Sequence, residues 1–186
     1  MIKTKIKITI NLFRLFPAII IMLVSPSKEI IISDIKRWME LDKMNSRLIS
    51  SFCLLLINKK EFRNLVIYRL RLNGFFGSFL FKLLFPPMDT LYITCTDIGK
   101  GLYIQHGFAT IISAKSIGEN CYINQQVTIG YEGDKNPTIG NNVHICAGAI
   151  VIGDCHVGDN AIVGAGAVVV KDVPSNEVWG VHRHAV

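Results

Sequence analysis

The chain has 186 residues, of which 50% are hydrophobic and 18% charged. That length suits one domain or a modest pair, and that composition excludes a disordered or collagen-like chain. The net charge of +6 is uneven: 15 of the 20 Lys+Arg precede Asp89, but only 5 of the 14 Asp+Glu do, so the remainder is acidic. A basic half could touch anionic lipid or nucleic acid, or could simply be a solvated helical surface. The aromatic-basic motifs of nucleic-acid binders are missing, so no nucleic-acid partner is expected. Five cysteines (Cys53, Cys95, Cys121, Cys146, Cys155) with no CxxC pair predict free thiols in a reducing cytoplasm.

The chain opens with Lys3, Lys5, Lys7 and Arg14, followed by the apolar run Leu15 to Ser27, interrupted by Pro17 and Pro26. A bilayer-spanning helix needs roughly 20 apolar residues, so an integral membrane protein is not expected. A secretory leader fits poorly as well, because no small-residue cleavage site follows the run. Residues 1–25 read better as an apolar docking or oligomer-contact segment. From Lys28 the period is helical, with Ile31, Ile35, Trp38 and Met39 forming one apolar stripe. SRLISSFCLLLI reads as a buried helix. Asn58 and Glu61 resemble a capping box that opens a third helix through EFRNLVIYRLRL. Gly74 and Gly77 interrupt it, SFLFKLLF gives a last short helix, and Pro86-Pro87 closes the region. The predicted division is a helical region over 1–87 and a second domain over 88–186.

After the prolines the period changes to six. From Ile98 the hexads are IGKGLY, IQHGFA, TIISAK, then after Ser116 IGENCY, INQQVT, IGYEGD; after an excursion they resume as IGNNVH, ICAGAI, VIGDCH, VGDNAI, VGAGAV, VVKDVP. Eleven of the twelve first positions are Ile or Val, the exception being Thr110, and the fifth position is almost always apolar or small. Fixed-period self-similarity marks a solenoid. Each hexad supplies a short strand whose first and fifth residues face inward. Gly, Asn and Asp near the corners tolerate positive φ. Three hexads close one triangular coil, so twelve predict four coils stacked around an aliphatic column.

IGKGLYIQHG, IGENCYINQQVTIG, ICAGAIVIGDCHVGDNAIVGAGAVVVKDVP and the terminal GVHRHAV resemble the hexapeptide acyltransferases, more narrowly the serine acetyltransferase-like group, whose members include a capsule and exopolysaccharide branch. The resemblance implies an α+β protein in which an N-terminal helical subdomain precedes a left-handed parallel β-helix of about four coils. It implies acetyl transfer from acetyl-CoA to a hydroxyl and homotrimers with sites between neighbouring β-helices, with a hexamer as a further option. His106 stands at the position of the family's catalytic histidine, where a neutral imidazole can take the acceptor's proton. Matching motif positions assign Gly130, Tyr131, Ala147 and Ala165 to the thioester donor, and Lys171 to the CoA phosphates or to solvent.

The sequence also departs from the group. Gln105 stands where serine-specific members carry Asp, and Lys135-Asn136-Pro137 stands where they carry a second histidine before proline. The position of the orienting carboxylate falls at Leu91, with Asp89 and Asp97 nearby. Asn136 could hydrogen-bond an acceptor hydroxyl or the developing oxyanion, or be a turn residue before proline. These losses favour a saccharide hydroxyl as acceptor, in polysaccharide biosynthesis. The alternatives are L-serine, in cysteine synthesis, and an inactive scaffold. The setting is cytoplasmic, with a peripheral membrane contact through the basic N-terminal region as a further option. No metal is expected: His106, His144 and His156 do not share the spacing of one face, and zinc needs three or four converging ligands. His182 and His184 lie in a tail that departs from the group's usual ending.

Overall fold

The computed structural model describes residues 11–72, 74 and 76–180. The histidines of the tail, His182 and His184, and the lysines at 3, 5 and 7 lie outside the described residues. The chain forms two compact units divided between Met88 and Asp89.

The first unit is helical. Its elements are α1 (Leu12–Val24), α2 (Lys28–Leu41), α3 (Leu48–Asn58), α4 (Lys60–Leu72) and α5 (Gly77–Leu84). The stripe expected on α2 is buried through Ile31, Ile35 and Trp38, with Trp38 edge-on to Phe62 of α4 at 5.1 Å between ring centroids. Asp34 shares that buried face. Its carboxylate accepts from Arg69 of α4, at 2.9 Å from Nε and 3.3 Å from Nη2, and both side chains are 1% exposed. Asn58, expected to open the next helix as a cap, instead stands at the end of the preceding one. Its amide donates to the Leu54 carbonyl one turn back. At Pro17 the ring removes one donor from within α1, yet the helix continues to Val24. No helix among the described residues is long and apolar enough to cross a membrane.

The second unit is a parallel β-solenoid of about five turns, one more than the hexads predicted. Its strands are β1 (Leu91–Ile93), β2 (Tyr103–Ile104), β3 (Thr110–Ile112), β4 (Ser116–Ile117), β5 (Tyr122–Ile123), β6 (Thr128–Gly130), β7 (Thr138–Ile139), β8 (His144–Ile145), β9 (Ile150–Ile152), β10 (His156–Val157), β11 (Ile162–Val163), β12 (Val168–Val169) and β13 (Val178–Trp179). They stack as three parallel sheets, β1-β3-β6-β9-β12, β4-β7-β10 and β2-β5-β8-β11-β13. The added turn comes from β1, ahead of the first hexad, and β13, after the last one. Bridges from Ile98 to Ile117 and from Val157 to Val173 carry the second sheet to the same depth.

The first positions form the core as expected, with one correction. Ile112, not Thr110, pairs with Ile129 in the inward column. The corner before β3 is wider than those stacked beneath it, which displaces the hexad frame there. Phe108, read as inward, is therefore exposed. Glycine at the second position has a direct cause: a methyl group on Gly118 would lie 2.6 Å from the Gly140 carbonyl of the next coil. Side chains stitch the same corner, where Asn141 Oδ1 accepts from the Glu119 amide and Asp159 Oδ1 from the Asn141 amide. None of the five cysteines is joined in a disulfide. Burial pushes the Cys121 thiol up to about 11, so it is a core thiol and not a nucleophile.

Candidate active site

The site is easiest to build from register. Tyr103, Tyr122, His144 and Ile162 are paired neighbours, and so are Ile104, Ile123, Ile145 and Val163. Two residues beyond this second row stand His106, Gln125, Ala147 and Ala165, at one corner of successive coils. Three of the residues predicted for the site, His106, Ala147 and Ala165, therefore share one edge. Backbone bonds run along it, from the Gly148 amide to the Gln125 carbonyl and from the Gly166 amide to the Ala147 carbonyl.

His106 is exposed and left-handed at φ 66°, followed by Gly107 at 55° and, two residues on, Ala109 at 51°. A non-glycine residue in this region is uncommon and signals a surrounding structure that holds it there. Part of that hold is visible next door. Gln105 Oε1 accepts from the Tyr122 hydroxyl at 2.7 Å and from Asn124 Nδ2 at 2.8 Å, and Asn124 Oδ1 lies 3.0 Å from His144 Nε2. In this chain of bonds His144 donates from Nε2, Asn124 relays, and Gln105 only accepts. Tyr122 stacks between Tyr103 and His144, with ring centroids 4.9 and 4.4 Å away. Burial pushes the His144 imidazole below its ordinary value. Beside His106 in register, Gln125 Oε1 is buried with no hydrogen-bond partner among the described residues.

The ladder of Gln105, Tyr122, Asn124 and His144 escaped the sequence reading, although a signal was available. Tyr103, Tyr122 and His144 each occupy the sixth position of a hexad.

The remaining predicted residues lie along the opposite edge of the first sheet. Gly130 ends β6, Tyr131 follows it exposed, and Lys171 is two residues beyond β12. The Lys171 ammonium sits 5.5 Å from the Trp179 ring centroid. Residues 131–137 make a tight turn in which Glu132 and Lys135 exchange backbone hydrogen bonds and Lys135 pairs with Asp154 at 2.9 Å. Asn136 Nδ2 donates to the Ser113 carbonyl. A three-residue strand of roughly 10 Å separates the two edges, at about 3.3 Å per residue. Within one chain, then, the structure groups His106 with Ala147 and Ala165, and Gly130 with Tyr131, Lys171 and Asn136.

Neither carboxylate candidate orients the His106 ring. Leu91 is buried in β1, and Asp89 and Asp97 are exposed, with no hydrogen bond to the imidazole among the described residues. His144 and His156 stand on different sheets, the latter with Nδ1 2.9 Å from Thr138 Oγ1.

Residues 136–171 match the model of the bacterial transferase hexapeptide family (six repeats). The repeat segment is of that type. Among curated proteins, the serine acetyltransferase of Synechococcus elongatus is 43% identical over 84 residues, which are 42% of this chain and 34% of the relative. That of Staphylococcus aureus is 42% identical over 95 residues, 48% and 45% of the two chains. Over these stretches of 84 and 95 residues the chain is similar to serine acetyltransferases. This chain spans about a third to a half of the length of these relatives. Among solved structures, Neisseria gonorrhoeae serine acetyltransferase in complex with serine superposes with a TM-score of 0.64 and 28% identity, over 82% of this chain and 65% of that one. The Brucella abortus enzyme in complex with coenzyme A gives 0.64 and 25%, over 83% and 65%.

Proposed function

We propose that this protein is an acetyl-CoA-dependent O-acetyltransferase of the serine acetyltransferase type, with L-serine as its first acceptor. The carrying observation is the similarity of 84–95 residues of the chain to those enzymes, together with His106 standing on the same edge as the small residues Ala147 and Ala165. Solved relatives that hold serine and coenzyme A support both substrates.

In this reading the His106 imidazole accepts the proton of the acceptor hydroxyl as its oxygen attacks the thioester carbonyl. The tetrahedral intermediate collapses, the C–S bond breaks, and the imidazolium returns its proton to the departing thiolate. The products are the O-acetyl ester and free CoA. Ala147 and Ala165 would let the donor approach the backbone of their edge, and the unpaired Gln125 oxygen could accept from the acceptor. Gly130, Tyr131, Lys171 and Asn136 stand roughly a strand's length away, so they would complete a site only when a second copy brings its opposite edge alongside. Exposed Tyr92, Ile111, Ile150 and Val168 on the outer face of the first sheet suit such an assembly. A homotrimer satisfies this, and its pairing into a hexamer is compatible with it.

A saccharide hydroxyl remains the second reading, on one observation. Gln105 is neutral and its side-chain oxygen is already taken by two donors, so it offers no charge to an ammonium group.

The test is release of CoA thiol from acetyl-CoA with L-serine and then with a saccharide panel, beside His106→Ala. The expected result is turnover with serine that falls by about 10²–10⁴-fold in the variant, the usual contribution of a general base. Turnover confined to a saccharide would transfer the reading to surface-polysaccharide modification. A protein that turns over no acceptor and binds no acetyl-CoA would be a scaffold.

A further inference from the structure

The helical unit presents an apolar face that its own core does not use. On α1, Phe13 (76% exposed), Phe16, Ile20 and Val24 point outward. On α5 and the turn before it, Phe76 (82% exposed), Phe79 and Leu83 do the same. The two helices are in contact, tied by Arg14, whose Nε donates to the Leu84 carbonyl at 2.8 Å while its guanidinium lies over the Phe85 ring at 4.7 Å. Isolated exposed apolar residues are ordinary, but two contacting helices that each expose such a row mark an interaction surface.

The charge pattern selects the occupant. Neither α1 nor α5 contains an acidic residue, and Lys82 on α5 is exposed beside the apolar positions in sequence. Residues 11–88 carry 12 Lys+Arg against 5 Asp+Glu, of which Asp34 and Glu61 among the acids and Arg69 among the bases are buried. A second copy docked through the same face would bring cations against cations with no carboxylate on either helix to pair them. An anionic lipid surface supplies the missing charge and accepts the phenylalanines at the same time. At 13 residues α1 is about 20 Å long, too short to cross the roughly 30 Å hydrocarbon layer but suited to lie in its interface.

We propose that the α1–α5 face of the helical unit is a docking surface for an anionic membrane interface, with the aromatic and aliphatic side chains entering the headgroup boundary and the flanking cations held at the phosphates. This assignment is independent of the acetyl-transfer reading.

The experiment is co-sedimentation of the full chain with vesicles of phosphatidylcholine alone and of phosphatidylcholine containing one third phosphatidylglycerol, at low and high salt. The expected result is binding to the phosphatidylglycerol vesicles at least tenfold tighter than to the neutral ones, weakened by salt. Phe13→Ser/Phe79→Ser should lose that binding at least tenfold while keeping helical circular dichroism, because both positions are already exposed. Lys82→Glu should lower it severalfold and leave the apolar face intact. Equal binding to both vesicle types, or none, would overturn the proposal. So would a drop in oligomeric state in Phe13→Ser/Phe79→Ser, measured by light scattering, because a second copy would then be the occupant.

Discussion

The helical unit and the β-helix solve the problem of a core in opposite ways. The helical unit buries a few large side chains, among them Trp38, Phe52, Phe62 and Phe81, in contacts that join distant turns and do not repeat. The β-helix buries a column of Ile and Val with a second row of Ala, Cys and Val, and each coil meets only its neighbours. In the first unit a single polar pair at the centre can decide stability. In the second, the cost of an error is set by how closely two backbones approach. The difference teaches that periodic cores advertise themselves in sequence, whereas aperiodic ones reveal their stripes but not their partners.

The sharpest way to break the helical unit is to remove Arg69. Asp34 would then be left as a buried charge without its fork of donors, a loss that typically costs about 3–5 kcal/mol. Arg69→Met should therefore shift the urea midpoint of the helical unit strongly, whereas Arg69→Met with Asp34→Leu should recover most of the loss, because well-packed apolar replacements of buried pairs are often neutral. If the single and double variants unfold alike, the pair is not what holds α2 to α4. In the β-helix the matching substitution is Gly118→Ala. With the Gly140 carbonyl 2.6 Å from the added methyl, two coils must move apart, at an overpacking cost of about 1–3 kcal/mol. Gly130→Ala, whose methyl would meet only the Thr128 methyl at 3.8 Å, should cost clearly less in thermal denaturation of the same protein.

How much of this was legible follows from the same contrast. The hexads carried the solenoid, the inward columns and the glycine corners, because one physical requirement recurs in every coil. The frame slipped at a single place, Thr110, and that slip adjoins the left-handed corner of His106; a site built on an irregular corner is where a periodic reading fails. The first and last turns were missed because β1 and β13 lie outside the uninterrupted hexads. Among the helices, the stripe of Ile31, Ile35 and Trp38 was readable, but Asp34 inside it was not, since its partner is 35 residues away. Asn58 and Glu61 matched a local capping pattern that lost to the C-terminal end of the preceding helix. Ala147 and Ala165 could be aligned with His106 by counting, yet the assignment of Asn136 to the acceptor could not anticipate its bond to the Ser113 carbonyl.

The smallest expected effect tests whether the ladder beside His106 is structural cement or a titrating device. His144 is half-buried, and burial places its folded pKa below the ordinary histidine value of 6.5. The unfolded chain then binds a proton that the folded one resists, so stability rises with pH between the folded value and about 6.5 and is flat above it. Acidification through that window should lower the melting temperature of the β-helix by a small amount, and His144→Gln, which keeps a donor for Asn124 but cannot titrate, should remove that slope while leaving the plateau near pH 8 within about 1 kcal/mol. His156, exposed on another sheet, provides the control, since its replacement by Gln removes a histidine without touching the ladder. If the acid-side slope persists in His144→Gln and disappears in His156→Gln, the buried imidazole is not the titrating group. Should the slope vanish only with His144, the Gln105–Asn124–His144 chain links protonation on the second coil below to the corner that holds His106, and the pH profile of acetyl transfer should shift in the same variant.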